Sequence, residues 1–174
     1  GGVGGTLGTQ QVTTMPADGY SILMSTTSTL VVGPLTNDTV KYDPIKSFEH
    51  IGMIAETPYV LVVSNKSGVR SVQDLIELAK KNPGKLNYAS GGNGSAGHLA
   101  AELFKSTAGF SMVHIPYAGA APAQLGLLAG QTDLMFDNLA SAAGQIQAGK
   151  LKAFAVTSEQ RSSQLPDVPT VAES

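Results

Sequence analysis

The glycine-rich segment Gly92–Gly97 has the G-x-G-x-x-G spacing of a dinucleotide-binding turn, placed between a predicted strand and a predicted helix. Dinucleotide binding also requires an Asp or Glu about 20 residues later to hold the ribose. The stretch Met112–Pro116 contains no acidic residue. We therefore favour anion binding, because the amides of a glycine loop at a helix start can hold a carboxylate. A plain turn remains the other interpretation.

Two side chains near this segment have the right type for acid, base or nucleophile chemistry. Ser95 would fit the nucleophile turn G-x-S-x-G only if position 93 were glycine, and it is Asn93. His98 falls in the first turn of the predicted helix, where it could face a ligand or pack against a neighbouring part of the chain. The sequence has no metal-binding or Walker A motif and no cysteine. An enzyme is therefore less well supported than a binding protein.

Two further strand-to-helix junctions contain candidate ligand contacts. At the first, Tyr117 can form an aromatic wall while the amides around Gly119 and Ala120 donate hydrogen bonds. At the second, Asp137 either caps the following helix or faces the cleft, and capping is the interpretation we prefer. A carboxylate facing the cleft would disfavour an anionic ligand unless a water or another donor lay between them.

Composition limits the classes of function. The 174 residues carry a net charge of −2 and only 14% charged side chains, which argues against nucleic-acid binding and binding to anionic membranes. No apolar stretch is long enough to cross a bilayer. The chain begins with glycine and without a signal peptide, so we expect a processed or truncated chain.

Short β-rich runs alternate with helical patterns, which is typical of βα units around a mostly parallel sheet. The predicted strands are Tyr20–Ser25, Glu49–Ala55, Tyr59–Ser64, Leu86–Ala89, Ser111–Ile115, Thr132–Asp137 and Lys152–Thr157. The predicted helices are Thr6–Thr13, Ser71–Lys81, Ser95–Ala108, Ala120–Ala129 and Leu139–Ala148. In such folds ligands bind outside the carboxyl ends of the strands, where helices begin. The loops Gly1–Gly5, Ser25–Thr29 and Ser90–Ser95 suit that position.

Several ordered motifs together resemble one protein family. They are Pro16–Tyr20, Tyr42–Pro44, Lys85–Gly94, His114–Gly119, Asp133–Asn138 and Ala155–Ser158 followed by Leu165–Thr170. This set resembles the extracytoplasmic receptors of tripartite tricarboxylate transporters, also called Bug proteins. The resemblance covers essentially the whole chain.

The resemblance implies a type II periplasmic-binding-protein fold, an α/β architecture of two lobes whose mostly parallel sheets are flanked by helices and joined by crossover strands. It implies a partial, truncated first lobe in residues 1–62, a second lobe in residues 63–157 and a return segment in residues 158–174. By that comparison Leu61–Ser64 and Thr157–Ser158 are the crossover strands. Sheet edges left open by missing strands would weaken folding or favour association.

The family comparison also implies a function and a site. It predicts a non-enzymatic periplasmic receptor, without cofactor or metal, that closes on a small carboxylate (a di- or tricarboxylate, an aromatic acid or an amino acid). The receptor would deliver this ligand to membrane subunits of the transporter. The implied ligand contacts are Val3, Gly4, Gly5, Thr26, Thr27, Gly92, Asn93, Ser95, His98, Tyr117, Gly119, Ala120 and Asp137. The alternative is an α/β enzyme, a hydrolase or nucleotide-binding protein, that uses the Gly92–Gly97 loop.

Overall fold

A computed structural model describes residues 3–174 and contains one mixed sheet flanked by helices. The strands are β1 (Tyr59–Ser64), β2 (Asn87–Ser90), β3 (Val113–Pro116), β4 (Leu134–Asn138) and β5 (Leu151–Val156). The helices are α1 (Thr6–Val12), α2 (Gly33–Thr36), α3 (Val72–Lys81), α4 (Ala96–Ala108), α5 (Ala120–Ala129) and α6 (Leu139–Gln147). A π-helical turn covers Ser28–Val32, and short 3₁₀ turns cover Val3–Gly5 and Val171–Glu173.

The spatial order of the strands is β3–β2–β4–β1–β5. Strand β2 runs parallel to β3 and β4, whereas β1 is antiparallel to both β4 and β5. Four strands therefore point in one direction and only β1 opposes them. As a result, the carboxyl ends of β2, β3 and β4 meet at one edge of the sheet, where β1 begins with Tyr59 opposite Asn138.

Both faces of the sheet are covered by helices. Leu61 and Val63 face a cluster that contains residues of α3 and α4, whereas Val60 and Val62 face a cluster that contains residues of α5 and α6. This alternation follows from the two-residue period of a strand, and the continuous apolar run of β1 is what a strand buried on both sides requires. The fold is the α/β arrangement that the sequence predicts.

Helix α3 forms for reasons that the local sequence supplies. The Ser71 hydroxyl accepts a hydrogen bond from the Asp74 amide at 3.0 Å, which satisfies one of the free amides at the helix start. Val72, Leu75 and Ala79 are buried on its inner side. The other four predicted helices are also present, with ends that differ from the predicted ones by at most one residue.

Two predicted strands, Tyr20–Ser25 and Glu49–Ala55, are wrong: both segments lack strand structure. Their sequences alternate apolar side chains, but a strand also needs a neighbour to accept and donate its backbone hydrogen bonds. Apart from an isolated bridge between Val156 and Thr170, the strand pairing within residues 3–174 lies in the five-stranded sheet, and neither segment joins it. Tyr20 is 93% exposed and Ile51 is 87% exposed.

None of the helices within residues 3–174 has both the length and the apolar character needed to cross a membrane.

Candidate functional site

One cavity of about 250 Å³ lies at the edge of the sheet where several helices begin. Its lining includes the N-cap residues of α1, α4, α5 and α6, which are Gly5, Ser95, Gly119 and Asn138. The first amides of a helix have no partner within the helix and carry the positive end of its dipole. The cavity therefore gathers several groups of backbone donors around one volume.

Six of the predicted site residues line this cavity. They are Gly4, Gly5, Ser95, Gly119, Ala120 and Asp137. The remaining lining residues are Tyr59, Gly91, Gly97, Met135, Phe136 and Asn138. Apart from the Asp137 carboxylate, these described lining residues carry no charged side chain, so an anion would be held by amides, hydroxyl groups and water.

Glycine is required where the loops meet. A Cβ atom on Gly4 would lie 3.6 Å from the amide nitrogen of Ser95, and Gly4 adopts a left-handed φ of 63°. A Cβ atom on Gly91 would lie 3.2 Å from the amide nitrogen of Ala120. A side chain at Gly91 would therefore press on the Ala120 amide, whereas glycine is favoured at position 4 by its left-handed backbone conformation. Of the residues predicted to form the first loop, Gly1 and Gly2 lie outside the described residues, as does the side chain of Val3.

A hydrogen bond joins the N-terminal part of the chain to the start of α4. The Ser28 hydroxyl accepts from the Ala96 amide at 3.0 Å, and Ser28 is only 8% exposed. The two predicted threonines lie just before this serine but do not line the cavity. Thr26 donates its amide to the Thr29 hydroxyl at 3.0 Å, and Thr27 is the N-cap of the π-helical turn.

Asp137 faces the cavity instead of capping α6. The cap is its neighbour Asn138, whose Oδ1 accepts from the Ala140 amide at 3.0 Å, because β4 continues through Asn138 before the helix begins. Our preferred interpretation of Asp137 is therefore wrong. Its carboxylate accepts hydrogen bonds from Gln124 Nε2 and the Asn138 amide, each at 2.8 Å. Burial raises the pKa of the Asp137 carboxyl, and these two hydrogen bonds act in the opposite direction.

His98 lies behind the cavity wall and is not part of the lining. Its ring stacks on that of His114 with a centroid distance of 4.1 Å, and its Nδ1 accepts from the Gly94 amide at 3.2 Å. Our alternatives for His98 were contact with a ligand and packing against the neighbouring lobe; the structure places the ring against His114 of β3 and the Gly94 amide. Its backbone amide donates to the Ser95 hydroxyl at 3.3 Å, which caps α4.

Three other predicted residues lie near the site but outside the lining. The ring of Tyr117 packs against Gly126 of α5, which leaves space for it by having no side chain, and its hydroxyl donates to Gln131 at 3.1 Å. The expected aromatic wall at Tyr117 is therefore absent from the cavity. Gly92 is buried and donates its amide to Ser90 Oγ at 3.1 Å, and Asn93 is exposed.

Four of the six lining residues outside the predicted set have a common origin. Tyr59 begins β1, whereas Met135, Phe136 and Asn138 belong to β4, so these residues come together through strand pairing. Only the antiparallel direction of β1, which the sequence does not reveal, places Tyr59 at the edge where the other strands end. Asn138 directly precedes a predicted helix, so an argument from N-cap preference could have identified it from the sequence.

A wider depression of about 510 Å³ lies near the C-terminal ends of α3 and α4, lined in part by Lys80 and Lys105. Helix C-terminal ends present carbonyl groups and the negative end of the dipole. This depression therefore lacks the convergent amides of the smaller cavity. Among the residues that the structure describes, no group of three or more His, Cys, Asp or Glu side chains is placed to hold a metal ion.

The model of one protein family, the tripartite tricarboxylate transporter family receptor, matches residues 1–174. The chain belongs to this family. It is a family of periplasmic solute-binding receptors, not of enzymes. The recognition that the ordered motifs suggested is confirmed.

Individual relatives agree with this assignment. Protein BugT of Bordetella pertussis is 35% identical over 173 residues, which are 99% of this chain and 53% of that protein. The periplasmic binding protein BugD is 39% identical with a TM-score of 0.94, and the R. palustris protein Rpa4515, solved with adipate, is 36% identical with a TM-score of 0.95. In both structures the match covers 99% of this chain and 57% of the other chain.

A third structure, MatC from Rhodopseudomonas palustris with bound malate, is 26% identical with a TM-score of 0.91, over 99% of this chain and 58% of that chain. These similarities confirm the periplasmic-binding-protein fold. The chain spans about half the length of the curated relatives it matches.

Proposed function

We propose that this chain belongs to a periplasmic receptor that captures a small carboxylate, and that it supplies residues of the binding site. The observation that carries the proposal is the convergence of the α4, α5 and α6 N-termini on one cavity without a cationic side chain in its lining. Helix starts favour negatively charged groups through the positive end of the helix dipole and through those first amides that no capping group engages. Adipate and malate in the two related structures are both dicarboxylates, which supports the same class of ligand here.

The mechanism that we propose is closure of two lobes around the ligand, followed by delivery to the membrane subunits of a tripartite transporter. The lobes would be residues 1–62 and 63–157, with residues 158–174 returning towards the first. The hydrogen bond between Ser28 and Ala96, and the presence of both Gly4 and Ser95 in the cavity lining, support a cavity formed between these parts. The limit at residue 62 falls within β1, so this strand would belong to the crossover.

The alternative, an enzyme that uses the Gly92–Gly97 loop, has weaker support. Ser95 Oγ accepts a hydrogen bond from the backbone of His98, and the His98 ring is turned away from it towards His114. The serine that does contact an imidazole is Ser90, whose hydroxyl lies 2.6 Å from His114 Nε2. Ser90 is 1% exposed, so a substrate could not reach it.

The experiment compares Ser95→Asp with Ser95→Asn. Asp and Asn are both good N-cap residues, so either variant keeps α4 capped. Only Asp adds a negative charge to the cavity. We expect titration calorimetry with adipate and malate to show binding by the Asn variant within a few-fold of the parent protein, and a loss of at least about tenfold for the Asp variant.

Thermal unfolding supplies an independent measurement of the same proposal. A ligand at 100 times its dissociation constant adds about 2.7 kcal/mol of stability, which corresponds to a rise in melting temperature of about 5–10 °C for a chain of this size. In the calorimetric comparison, equal ligand affinities of Ser95→Asp and Ser95→Asn would place the ligand outside this cavity. Absence of any shift across a panel of dicarboxylates, tricarboxylates, aromatic acids and amino acids would refute the proposed ligand class.

A further inference from the structure

Three aromatic rings form a stack behind the loop that joins β2 to α4. The rings of Tyr88 and His114 have centroids 4.8 Å apart at 16°, and those of His114 and His98 have centroids 4.1 Å apart at 14°. The three residues come from β2, β3 and α4 respectively. The stack therefore connects two strands and a helix directly beneath the loop residues 91–95.

The stack is hydrogen-bonded to the backbone of this loop at two points. His98 Nδ1 accepts from the Gly94 amide at 3.2 Å. Ser90 Oγ accepts from the Gly92 amide at 3.1 Å and also lies 2.6 Å from His114 Nε2. The loop ends at Ser95, which lines the cavity and caps α4. The two imidazoles thus contribute to holding a loop whose last residue faces the proposed ligand.

Charged and titratable groups surround the stack on every element that contacts it. On α4, Glu102 accepts a hydrogen bond from the Tyr88 hydroxyl and forms an ion pair with Lys105, whose Nζ lies 2.8 Å from Glu102 Oε1. The Lys105 Nζ also lies 5.6 Å from the centre of the Tyr88 ring. On β3, burial, with a smaller contribution from His98, lowers the pKa of His114 to about 4. His114 therefore stays neutral at pH 5–8, the range in which imidazoles ordinarily change charge.

We propose that His98 is a positioning residue: its Nδ1 accepts from the Gly94 amide, and this hydrogen bond holds the loop in the conformation that binds ligand. This inference rests on the proposed function, because the loop is taken to form one wall of a carboxylate site. The His98 ring supplies both this acceptor and the stacking contact with His114. Removing the acceptor while keeping a ring should therefore loosen the loop and weaken ligand binding.

Two substitutions separate the acceptor from the ring. His98→Asn places an oxygen close to the position of Nδ1, so it keeps an acceptor for Gly94 but loses the ring. His98→Phe keeps a ring for the stack on His114 but has no acceptor. The matched control is His50→Asn, because His50 is exposed, hydrogen-bonds the Pro44 carbonyl and packs against the Phe48 ring, away from the loop.

Adipate affinity is measured by calorimetry at one pH for all four proteins. We expect His98→Phe to bind about fivefold more weakly than the parent protein, the effect of one hydrogen bond. His98→Asn, which keeps the acceptor, and His50→Asn should bind within about twofold of the parent protein.

Hydrogen exchange of the Gly94 amide in the ligand-free protein tests the inference without any ligand. The amide should be protected in the parent protein, in His50→Asn and in His98→Asn, and it should exchange faster in His98→Phe. Equal protection in His98→Phe and the parent protein would overturn the inference. Equal losses of adipate affinity in His98→Asn and His98→Phe would also overturn it, since the ring and not the acceptor would then matter. Failure of every protein to bind adipate would count against the proposed function and leave the Gly94 measurement to decide the role of His98.

Discussion

Gly97 is the position where one added methyl group tests how α4 is placed against the sheet. Gly97 is in the first turn of α4, and a Cβ atom built there would lie 2.5 Å from the carbonyl oxygen of Phe136 in β4. An ordinary contact begins near 3.4 Å, so Gly97→Ala requires the start of α4 to move by about 0.9 Å. The opposing atom is strand backbone, which cannot swing away as a side chain could.

Overpacking of this kind costs about 1–3 kcal/mol. For a chain of this length, that corresponds to a fall in melting temperature of about 3–10 °C, which thermal unfolding followed by circular dichroism would measure. Because Ser95 lies two residues before Gly97 and lines the cavity, the same displacement should weaken adipate binding by about fivefold.

The control for this experiment is Gly144→Ala. Gly144 lies inside α6, has no atom within 4 Å of its built Cβ and has no left-handed φ. Alanine there should stabilise the protein by about 0.5–1 kcal/mol through helix propensity alone, without changing affinity. If Gly97→Ala were as stable as Gly144→Ala, the close approach of α4 to β4 would be incorrect.

Three further predictions concern stability and titration. Ser71→Ala removes the acceptor of the Asp74 amide and should cost about 1 kcal/mol of unfolding free energy in urea, whereas Ser71→Asp should restore it; equal stability of all three proteins would contradict the cap. Burial raises the pKa of Asp137 above its unfolded value, so the free energy of unfolding should decline as the pH rises through the raised pKa. Asp137→Asn should lack that decline in thermal melts recorded between pH 4 and pH 7. The pKa of His114 is lowered to about 4, so its ring protons should titrate there in NMR spectra and stability should decrease as the pH falls from about 6.5 towards 4; titration near 6.5 would refute its burial.

The helices were largely predictable because their signals are local. Ser71 caps α3 and an apolar stripe follows it, and Gly109, which ends α4, adopts the left-handed conformation that glycine permits. Strands were less predictable, because alternating apolar residues do not specify a neighbour. The segments Tyr20–Ser25 and Glu49–Ala55 have strand-like sequences but form no strand, because neither pairs with a strand of the described sheet.

The candidate site shows the same division. The glycine-rich and strand-to-helix junctions pointed to Gly4, Gly5, Ser95 and Gly119, which line one cavity in the structure, because helix starts can be recognised from short patterns. The individual side chains were harder, since a difference of one residue or one rotamer changes their role.

The sequence by itself determined the class of the fold, the helices and the ordered motifs of the family, because periodicity, caps and motif order are properties of neighbours along the chain. Tertiary structure alone decided that β1 runs against the other strands and brings Tyr59 to the cavity. It also decided that Asn138 caps α6 while Asp137 faces the cavity, and that His98 supports Gly94 from behind. These outcomes depend on strand direction and on packing between distant segments, which no local pattern encodes.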